Sequence, residues 1–276
     1  MTAPFRVALV QMTAGNELAA NIPMAEALID EAAKGGADLI CTPEVTSLME
    51  RRVKSSLAQC VAEEDDPALK AFRAKAESLG KWLAIGSLPI KIADDRLANR
   101  SFVIAPSGEI AARYDKIHMF DVNLPDGETI RESKAYQPGT KAVLADLPWG
   151  RMGLSICYDL RFAGLYRHLA QAGASFLSVP AAFTRITGEA HWHVLLRARA
   201  IETGCYVFAA AQCGDHADGR KTFGHALVVA PWGEVLADGG SEPGVCFADI
   251  DPARVGEARE RIPALSHDRR FEGPGA

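Results

Sequence analysis

Cys157 is the residue whose place in the sequence most strongly suggests covalent chemistry. The alternating run of Met152, Leu154 and Ile156 predicts a short strand that stops at Cys157, and a helical pattern follows it and ends at Gly173. A thiol at the carboxyl end of a strand lies where α/β folds expose reactive side chains, and amide groups at a helix start favour its thiolate. The alternative is a small buried hydrophobic residue, because free cysteines are usually buried.

Two charged residues, Glu44 and Lys116, also directly follow predicted strands. Glu44 comes after LICTP and Lys116 after ARYD. A cysteine that attacks a carbonyl needs a base for its proton, because a free thiol with a pKa near ~8.5 is mostly protonated at pH 7. It also needs a donor for the developing oxyanion. The ends of parallel strands meet at one edge of a sheet, so we expect the three groups to converge. Taken singly, each charge is better explained as a solvated surface group, and only the shared context favours a role in chemistry.

The overall composition excludes several classes of protein. The chain has 276 residues, is 48% hydrophobic and 24% charged, and carries a net charge of −5, so it shows no basic footprint for nucleic acid. It has no basic segment followed by a signal-peptide core, and no apolar run near the ~20 residues that span a membrane. Six cysteines without a CxxC pair predict reduced thiols. We therefore expect a cytoplasmic protein with neither nucleic-acid nor membrane partners.

Strands and helices alternate through the first and last thirds of the chain. The predicted elements are strands at Phe5–Met12, Ala37–Thr42, Trp82–Leu88, Ala174–Val179, Cys205–Gln212 and Gly244–Ile250, and helices at about Asn21–Lys34, from Asp66-Pro67 to Gly80, at about Ala190–Thr203, and after Pro252. This alternation, with short links, predicts a layered α/β domain. We expect one domain over residues 1–276, with a core at about 5–271 and a loose C-terminal tail.

The middle of the chain differs from its flanks. Residues 103–110 resemble residues 228–235, each with two β-rich runs joined by a Pro-x-Gly turn, which suggests two similar half-sheets. Between Lys116 and Gly139 lies a long irregular segment with several Pro and Gly residues. Such loops inside a domain are usually functional or disordered, and its charged residues favour a functional role.

Four motifs together resemble the nitrilase superfamily of carbon–nitrogen hydrolases: LICTPEV, YDKIHMFD, ICYDLRF and TGEAHWHVLLRARAIE. The resemblance covers nearly the whole chain. It implies a Glu-Lys-Cys triad at Glu44, Lys116 and Cys157, with a supporting glutamate at Glu132. It also implies a four-layer α-β-β-α sandwich, dimerisation through the helical layers, and no metal or organic cofactor. We expect the Tyr158 backbone N–H to share the oxyanion with Lys116.

The segment from Ala190 to Gly214 resembles the branch that contains deaminated glutathione amidase more closely than the ω-amidases. Both branches act on small carboxylated amides, so the pocket should offer cations. Arg185, in the 183–188 loop, is the first candidate and Arg131 the second, although a solvated loop arginine explains Arg185 equally well. The alternatives are an ω-amidase acting on α-ketoglutaramate, a carbamoyl-amide hydrolase or nitrilase, and an inactive scaffold on the same fold. Intact triad residues argue against the scaffold.

Three smaller expectations concern residues around these motifs. The branch usually continues the cysteine motif with Pro-Glu, whereas this chain has Ala163-Gly164, which loosens the helix start. Asp159 and Arg161 are expected to pair with each other beside the nucleophile. His191 and His193, two apart on a predicted helix, should face different sides, so the pair is not expected to bind a metal.

Overall fold

The computed structural model describes residues 3–125 and 127–274. Its strands are β1 (Phe5–Gln11), β2 (Leu39–Cys41), β3 (Trp82–Ala93), β4 (Arg96–Ile104), β5 (Ile110–Asp115), β6 (Asp121–Asn123), β7 (Thr129–Arg131), β8 (Leu144–Leu147), β9 (Gly150–Leu154), β10 (Ala174–Ser178), β11 (Tyr206–Ala209), β12 (Cys213–Asp215), β13 (Lys221–Phe223), β14 (Leu227–Val229), β15 (Val235–Asp238) and β16 (Gly244–Ile250). Its α-helices are α1 (Leu18–Lys34), α2 (Val53–Gln59), α3 (Pro67–Leu79), α4 (Ala163–Gln171), α5 (Arg185–Thr203) and α6 (Ala253–Arg261).

Two six-stranded sheets form the centre of the molecule. The first has the order β16-β1-β2-β3-β4-β5 and the second the order β15-β14-β11-β10-β9-β8. In each sheet three consecutive strands run parallel, β1-β2-β3 in one and β9-β10-β11 in the other, and antiparallel strands flank them. The two similar half-sheets predicted from the sequence are therefore present.

Strand β1 shows how the layers stack. Phe5, Val7 and Leu9 belong to the core shared with the second sheet, whereas Ala8 and Val10 belong to the core under α1 and α3. Successive side chains of a strand point to opposite faces, so both faces of β1 are buried. Helices α4 and α5 pack on the second sheet in the same way. The order of layers is α-β-β-α, as the resemblance implied.

Helix ends follow the predicted local signals. Asp66 caps α3 by accepting a hydrogen bond from the Leu69 N–H at 2.8 Å, with Pro67 as the first helical residue and left-handed Gly80 as the end. The two Pro-x-Gly turns also match, because Glu109 and Glu234 accept equivalent backbone hydrogen bonds from Ala105 and Ala230. Both turns close antiparallel hairpins.

Several predicted boundaries are wrong. Helix α5 begins at Arg185 rather than near Ala190, so the predicted loop is its first turn, and β3 continues to Ala93. Strand β2 is only three residues long. Part of the tail is anchored, because Arg167 on α4 binds Asp268 and the Ala264 carbonyl. These contacts join distant parts of the chain, so local sequence patterns do not reveal them. Within the described ranges, no helix is both long and apolar enough to cross a bilayer.

Candidate active site

The site forms where a loop of the first sheet meets a loop of the second. Glu44 follows β2 in the first sheet, and Cys157 follows β9 in the second. Gly86 lies between the two loops, and an added Cβ there would come within 2.2 Å of the Thr42 carbonyl oxygen and 2.5 Å of Pro180. Only glycine allows this close approach of two backbones. The Pro180 carbonyl in turn accepts a hydrogen bond from the Cys157 N–H at 2.9 Å.

Glu44 is buried and its position is set by a strained turn. The next residue, Val45, has a φ of +49°, a conformation that β-branched residues rarely adopt. Ser87 holds this turn, because its hydroxyl accepts from the Val45 N–H at 2.8 Å and its carbonyl from the Thr46 N–H. The Glu44 carboxylate accepts from the Ala182 N–H at 2.9 Å through Oε2. Ser87 of the first sheet therefore holds the turn, and the Ala182 N–H, which follows a strand of the second sheet, holds the carboxylate.

Cys157 opens a short 3₁₀ turn, Cys157–Arg161, and has a φ of +48°. The buried Asp159 carboxylate anchors this turn by accepting hydrogen bonds from the Ile156 N–H, the Tyr114 hydroxyl and the His118 N–H at 2.7–3.0 Å. A sharp strand-to-helix turn held in this way presents its first side chain to the neighbouring cavity.

Lys116 joins two glutamates. Its Nζ donates to Glu44 Oε1 at 2.9 Å and to both Glu132 oxygens at 2.9 and 3.0 Å. Asn99 bridges the same two carboxylates through its Nδ2, at 2.9 Å from Glu44 and 3.2 Å from Glu132. The Phe120 N–H also donates to Glu132. The segment between Lys116 and Gly139 thus supplies a carboxylate to the cluster.

Asn99 was missed at the sequence level, although a signal was present. It is a buried polar residue in the middle of β4, where asparagine is normally depleted. In such a position an amide needs partners, and its partners here are the two glutamates.

Mutual electrostatics set the protonation of the cluster. Burial and the Glu44 carboxylate raise the pKa of the Cys157 thiol well above its usual value, and Lys116 only partly opposes them. Burial acts against the Glu44 charge, but Lys116, the Cys157 S–H and the Ala182 N–H lower its pKa overall. Burial likewise opposes the Lys116 charge, yet Glu132 and Glu44 raise its pKa. The resting site therefore holds a thiol beside a carboxylate, and the amides of the following turn do not outweigh burial and the Glu44 charge.

These side chains line a cavity of about 320 Å³. Glu44, Lys116, Glu132 and Cys157 all contribute to its wall, together with Asn99. The structure therefore brings together the four residues that the sequence grouped, and adds Asn99. Four of the five come from the first sheet and the segment that follows it, and Cys157 comes from the second. A small molecule in this cavity would meet the Cys157 thiol, the Glu44 carboxylate and the Lys116 ammonium group together.

The two cations predicted to bind substrate have different environments. Arg131 lines the cavity, and its guanidinium is held by the Val122 and Ile130 carbonyls. Arg185 is not among the lining residues, because it starts α5 and pairs with Asp215 at 2.7 Å on the surface. Three further cations that were not predicted also line the cavity, namely Arg51, Lys134 and Arg220. They lie in segments without a motif, so no local signal marks them.

Asp159 and Arg161 do not pair with each other. Asp159 faces inward to His118 and Tyr114, whereas Arg161 lies over the rings of Tyr158 and Phe183. The 3₁₀ turn separates the two side chains, one toward the buried strands and one toward α5. The predicted ion pair is wrong.

His191 and His193 have separate contacts. His191 lies 3.3 Å from the Arg161 guanidinium, and His193 lies 3.0 Å from Asp238. The two side chains therefore leave the helix in different directions, as their spacing predicts.

Comparisons with known proteins agree with this geometry. Residues 6–260 match the model of the carbon–nitrogen hydrolase family. The chain is 42% identical over 269 residues to deaminated glutathione amidase of Synechocystis sp., covering 96% of this chain and 98% of the relative. The crystal structure of the Caenorhabditis elegans NitFhit protein superposes with a TM-score of 0.90 at 37% identity, covering 97% of this chain and 66% of that one.

A more distant structure shows the chemistry of a related cysteine. A mutant of the amidase from Nesterenkonia sp. AN1 carries the acetamide moiety of fluoroacetamide added covalently at its active-site cysteine. It has a TM-score of 0.81 at 27% identity, and the match covers 96% of this chain and 94% of that one. With the family model matched over most of its length, this chain belongs to the carbon–nitrogen hydrolase family.

Proposed function

We propose that the protein is a cysteine-dependent amidase that hydrolyses deaminated glutathione through a thioester on Cys157. The observation that carries the proposal is that Cys157, Glu44 and Lys116 line one cavity, with Lys116 Nζ donating to Glu44 Oε1 at 2.9 Å. A nucleophile, a base and a cation gathered on one cavity wall are the arrangement that acyl transfer requires.

In the first half-reaction the Cys157 sulfur attacks the amide carbon as its proton passes to Glu44. The tetrahedral intermediate then collapses, the C–N bond breaks, and Glu44 returns the proton to the leaving amine. A thioester between Cys157 and the acyl group remains. Glu44 is suited to both transfers because it is ionised at rest while the thiol holds its proton.

Lys116 and the Tyr158 backbone N–H stabilise the developing oxyanion. Lys116 keeps its positive charge because two carboxylates surround its ammonium group. The Tyr158 N–H lies in the first turn of the 3₁₀ helix, where amides lack intrahelical partners. A preorganised cation in a buried site stabilises charge more strongly than it does in water.

In the second half-reaction Glu44 takes a proton from water, and the hydroxide attacks the thioester carbon. The C–S bond breaks and Cys157 recovers its proton, so the enzyme returns to its starting state. Glu132 takes no part in proton transfer. It holds Lys116 and accepts the Phe120 N–H, and so positions the ammonium group.

The substrate assignment rests on the named relatives and on the cations of the cavity. Deaminated glutathione is a glutathione whose terminal amine has become a ketone, so it carries two carboxylates and a secondary amide. Its leaving group is the Cys-Gly dipeptide. Arg131 is our first candidate for a carboxylate, because a guanidinium can grip one through two charge-assisted hydrogen bonds. Arg51, Lys134 and Arg220 line the same cavity.

The competing function is that of an ω-amidase acting on α-ketoglutaramate. This substrate lacks the Cys-Gly dipeptide of deaminated glutathione. We expect kcat/KM for deaminated glutathione to be at least ~10-fold higher, a difference of about 1.4 kcal/mol in transition-state binding. Purified enzyme should be assayed with both substrates side by side, with Cys157→Ala as the inactive control. Better turnover of α-ketoglutaramate would replace the assignment with the ω-amidase. No turnover of either, by correctly folded protein, would support the scaffold alternative.

We also propose that the protein is a cytoplasmic homodimer. The solvent-facing surface of α5 carries Ile186, Val194 and Ile201, seven or eight residues apart and therefore on one side of the helix. An aligned set of exposed apolar side chains suits contact with a second copy. Light scattering on the purified protein should give twice the chain mass of 29.6 kDa. The reduced Cys157 that catalysis requires suits a cytoplasmic location.

A further inference from the structure

Away from the active site, two histidines and an aspartate form a cluster on the second sheet. His193 comes from α5, His225 precedes β14, and Asp238 is the last residue of β15. His193 Nε2 lies 3.0 Å from Asp238 Oδ2, and His225 Nδ1 lies 2.9 Å from Asp238 Oδ1. One ligand atom of each residue falls within 4.8 Å of the others. None of the three lines the catalytic cavity.

These distances are close to those around a tetrahedral metal ion. Zinc binds histidine nitrogen at about 2.0–2.1 Å and carboxylate oxygen at about 2.0–2.2 Å, so neighbouring ligand atoms lie roughly 3.3 Å apart. Asp238 Oδ2 lies 3.0 Å from His193 Nε2 and 3.1 Å from His225 Nδ1, so both distances from this one oxygen are already near that separation. Only the two imidazole nitrogens need to move closer to each other, and small side-chain rotations can bring this about.

The backbone holds His225 in an unusual conformation. Its φ is +55°. Among the described residues, two other non-glycine residues have a positive φ, Val45 and Cys157. Those two belong to the active-site turns. The His225 N–H donates to the Gly240 carbonyl at 2.7 Å, and its carbonyl accepts from Trp192 Nε1 at 2.8 Å. Such strain persists only where the surroundings enforce it, and it is concentrated at functional sites.

The supporting contacts orient the ligands further. The Gly240 N–H donates to Asp238 Oδ1 at 2.9 Å, and the His225 ring stacks on Phe223 with centroids 4.4 Å apart. Ligating side chains in metal sites are fixed by such outer contacts. The cluster therefore has an orienting shell besides its three ligand groups.

The charge of the cluster also suits a cation. The Asp238 carboxylate contacts both histidine rings and accepts a hydrogen bond from the Gly240 N–H. Within the described residues, its ion-pair partners are these two histidines rather than lysine or arginine. No permanent cation therefore occupies the position that a metal dication would take beside this carboxylate. In the single chain the three side chains are 28–37% exposed, so their ligand atoms are open to the ion and its water.

We propose that His193, His225 and Asp238 bind one divalent cation of the zinc class, with water in the remaining position. Two imidazoles and a carboxylate are a ligand set that Zn²⁺ prefers over Mg²⁺ or Ca²⁺, which favour oxygen ligands. The ion joins α5 to the β14–β15 hairpin, elements that are far apart in the chain. Its effect is therefore on stability, and the amidase chemistry proceeds without it.

The test uses Zn²⁺ titrated into the tag-free full-length protein against a chromophoric chelator. Two variants remove ligands, His193→Ala and His225→Asn; asparagine is chosen for its tolerance of positive φ. His191→Ala is the matched control, because it lies two residues from His193 on the same helix and contacts Arg161 instead. We expect one Zn²⁺ per chain, with affinity at least ~10-fold lower in both ligand variants and unchanged in the control.

Two further measurements complete the test. Co²⁺ in place of Zn²⁺ should give the visible bands of tetrahedral nitrogen and oxygen ligation, without the charge-transfer band of a thiolate. At 100 times its dissociation constant, Zn²⁺ should lower the unfolding equilibrium constant of the wild type about 100-fold, seen as a rise in Tm. Absence of saturable binding, equal binding by all variants, or a thiolate band would each overturn the proposal.

Discussion

Glu44 and Lys116 form an ion pair with 2.9 Å between Oε1 and Nζ, and their side chains are only 6% and 2% exposed. Water does not solvate either charge at this burial, so each charge is stabilised by the other, and that of Lys116 also by Glu132. Removing one partner of such a pair leaves an uncompensated buried charge. The variants below therefore need a folding control as well as an activity assay.

Glu44→Gln should reduce kcat by ~100- to 10,000-fold, the usual contribution of a positioned general base. Glutamine is nearly isosteric, but it cannot accept the thiol proton. We expect any acyl-enzyme that does form to persist, because water is no longer activated. Mass spectrometry of quenched Glu44→Gln should then show a substrate-derived adduct on the Cys157 peptide. Activity close to that of the wild type would exclude Glu44 as the base.

The fall of kcat/KM on the acid side of the pH profile should occur at an unusually low pH. The pKa of Glu44 is held below its ordinary value of 4.5, so the base becomes protonated only below that pH. The same lowered pKa contributes stability above pH 4.5 that is lost as the pH falls through the folded-state value. Circular dichroism must separate acid unfolding from loss of the base. An acid limb centred clearly above pH 4.5 would contradict this assignment.

Lys116→Met should lower kcat by ~100- to 1000-fold, as expected for loss of one oxyanion donor. The variant should also lose roughly 3–5 kcal/mol of unfolding free energy, because two buried carboxylates remain without their cation. Loss of Lys116 also raises the pKa of Glu44, so the acid limb should move to higher pH. Steady-state kinetics and denaturant unfolding measure both effects. A change confined to KM would contradict the oxyanion role.

Glu132→Gln should reduce activity by ~100-fold, because misplacing a reactive group by a fraction of an ångström is costly. The amide can still accept the Phe120 N–H, but it no longer balances the Lys116 charge. A small alkylating agent should still modify Cys157, since the nucleophile is untouched. Asp146→Asn is the control, because this exposed acid lies away from the cavity. Full activity in Glu132→Gln would exclude a role of the Glu132 charge in positioning Lys116.

Gly164→Ala should stabilise the protein by ~0.5–1 kcal/mol. Gly164 is the second residue of α4, an added Cβ meets nothing within 4 Å, and glycine is a poor helix former. Thermal unfolding should show a higher Tm. Gly173→Ala is the matched control, because its φ of +101° makes alanine strained, and this change should lower Tm. A Tm unchanged in Gly164→Ala would indicate that the helix start is not loosened.

The sequence by itself determined the local elements and the identity of the reactive side chains. Strand β1 and helix α3 follow from periodicity and capping residues, because these signals act over a few positions. Cys157, Glu44 and Lys116 could be named because each directly follows a strand within a recognisable motif. Asn99 carries a weaker signal, a polar amide within a β-rich run, and its burial is visible only in the structure.

The tertiary structure decided how these residues act together. Glu44 follows a strand of one sheet and Cys157 follows a strand of the other. Their meeting in one cavity depends on the packing of those sheets, which no local pattern encodes. The raised pKa of the Cys157 thiol follows from that burial and from the nearby Glu44 carboxylate. His193 shows the same limit, because its partners His225 and Asp238 lie 32 and 45 residues away along the chain. Long-range contacts of this kind arise only when the layers assemble, so spacing within α5 could not reveal them.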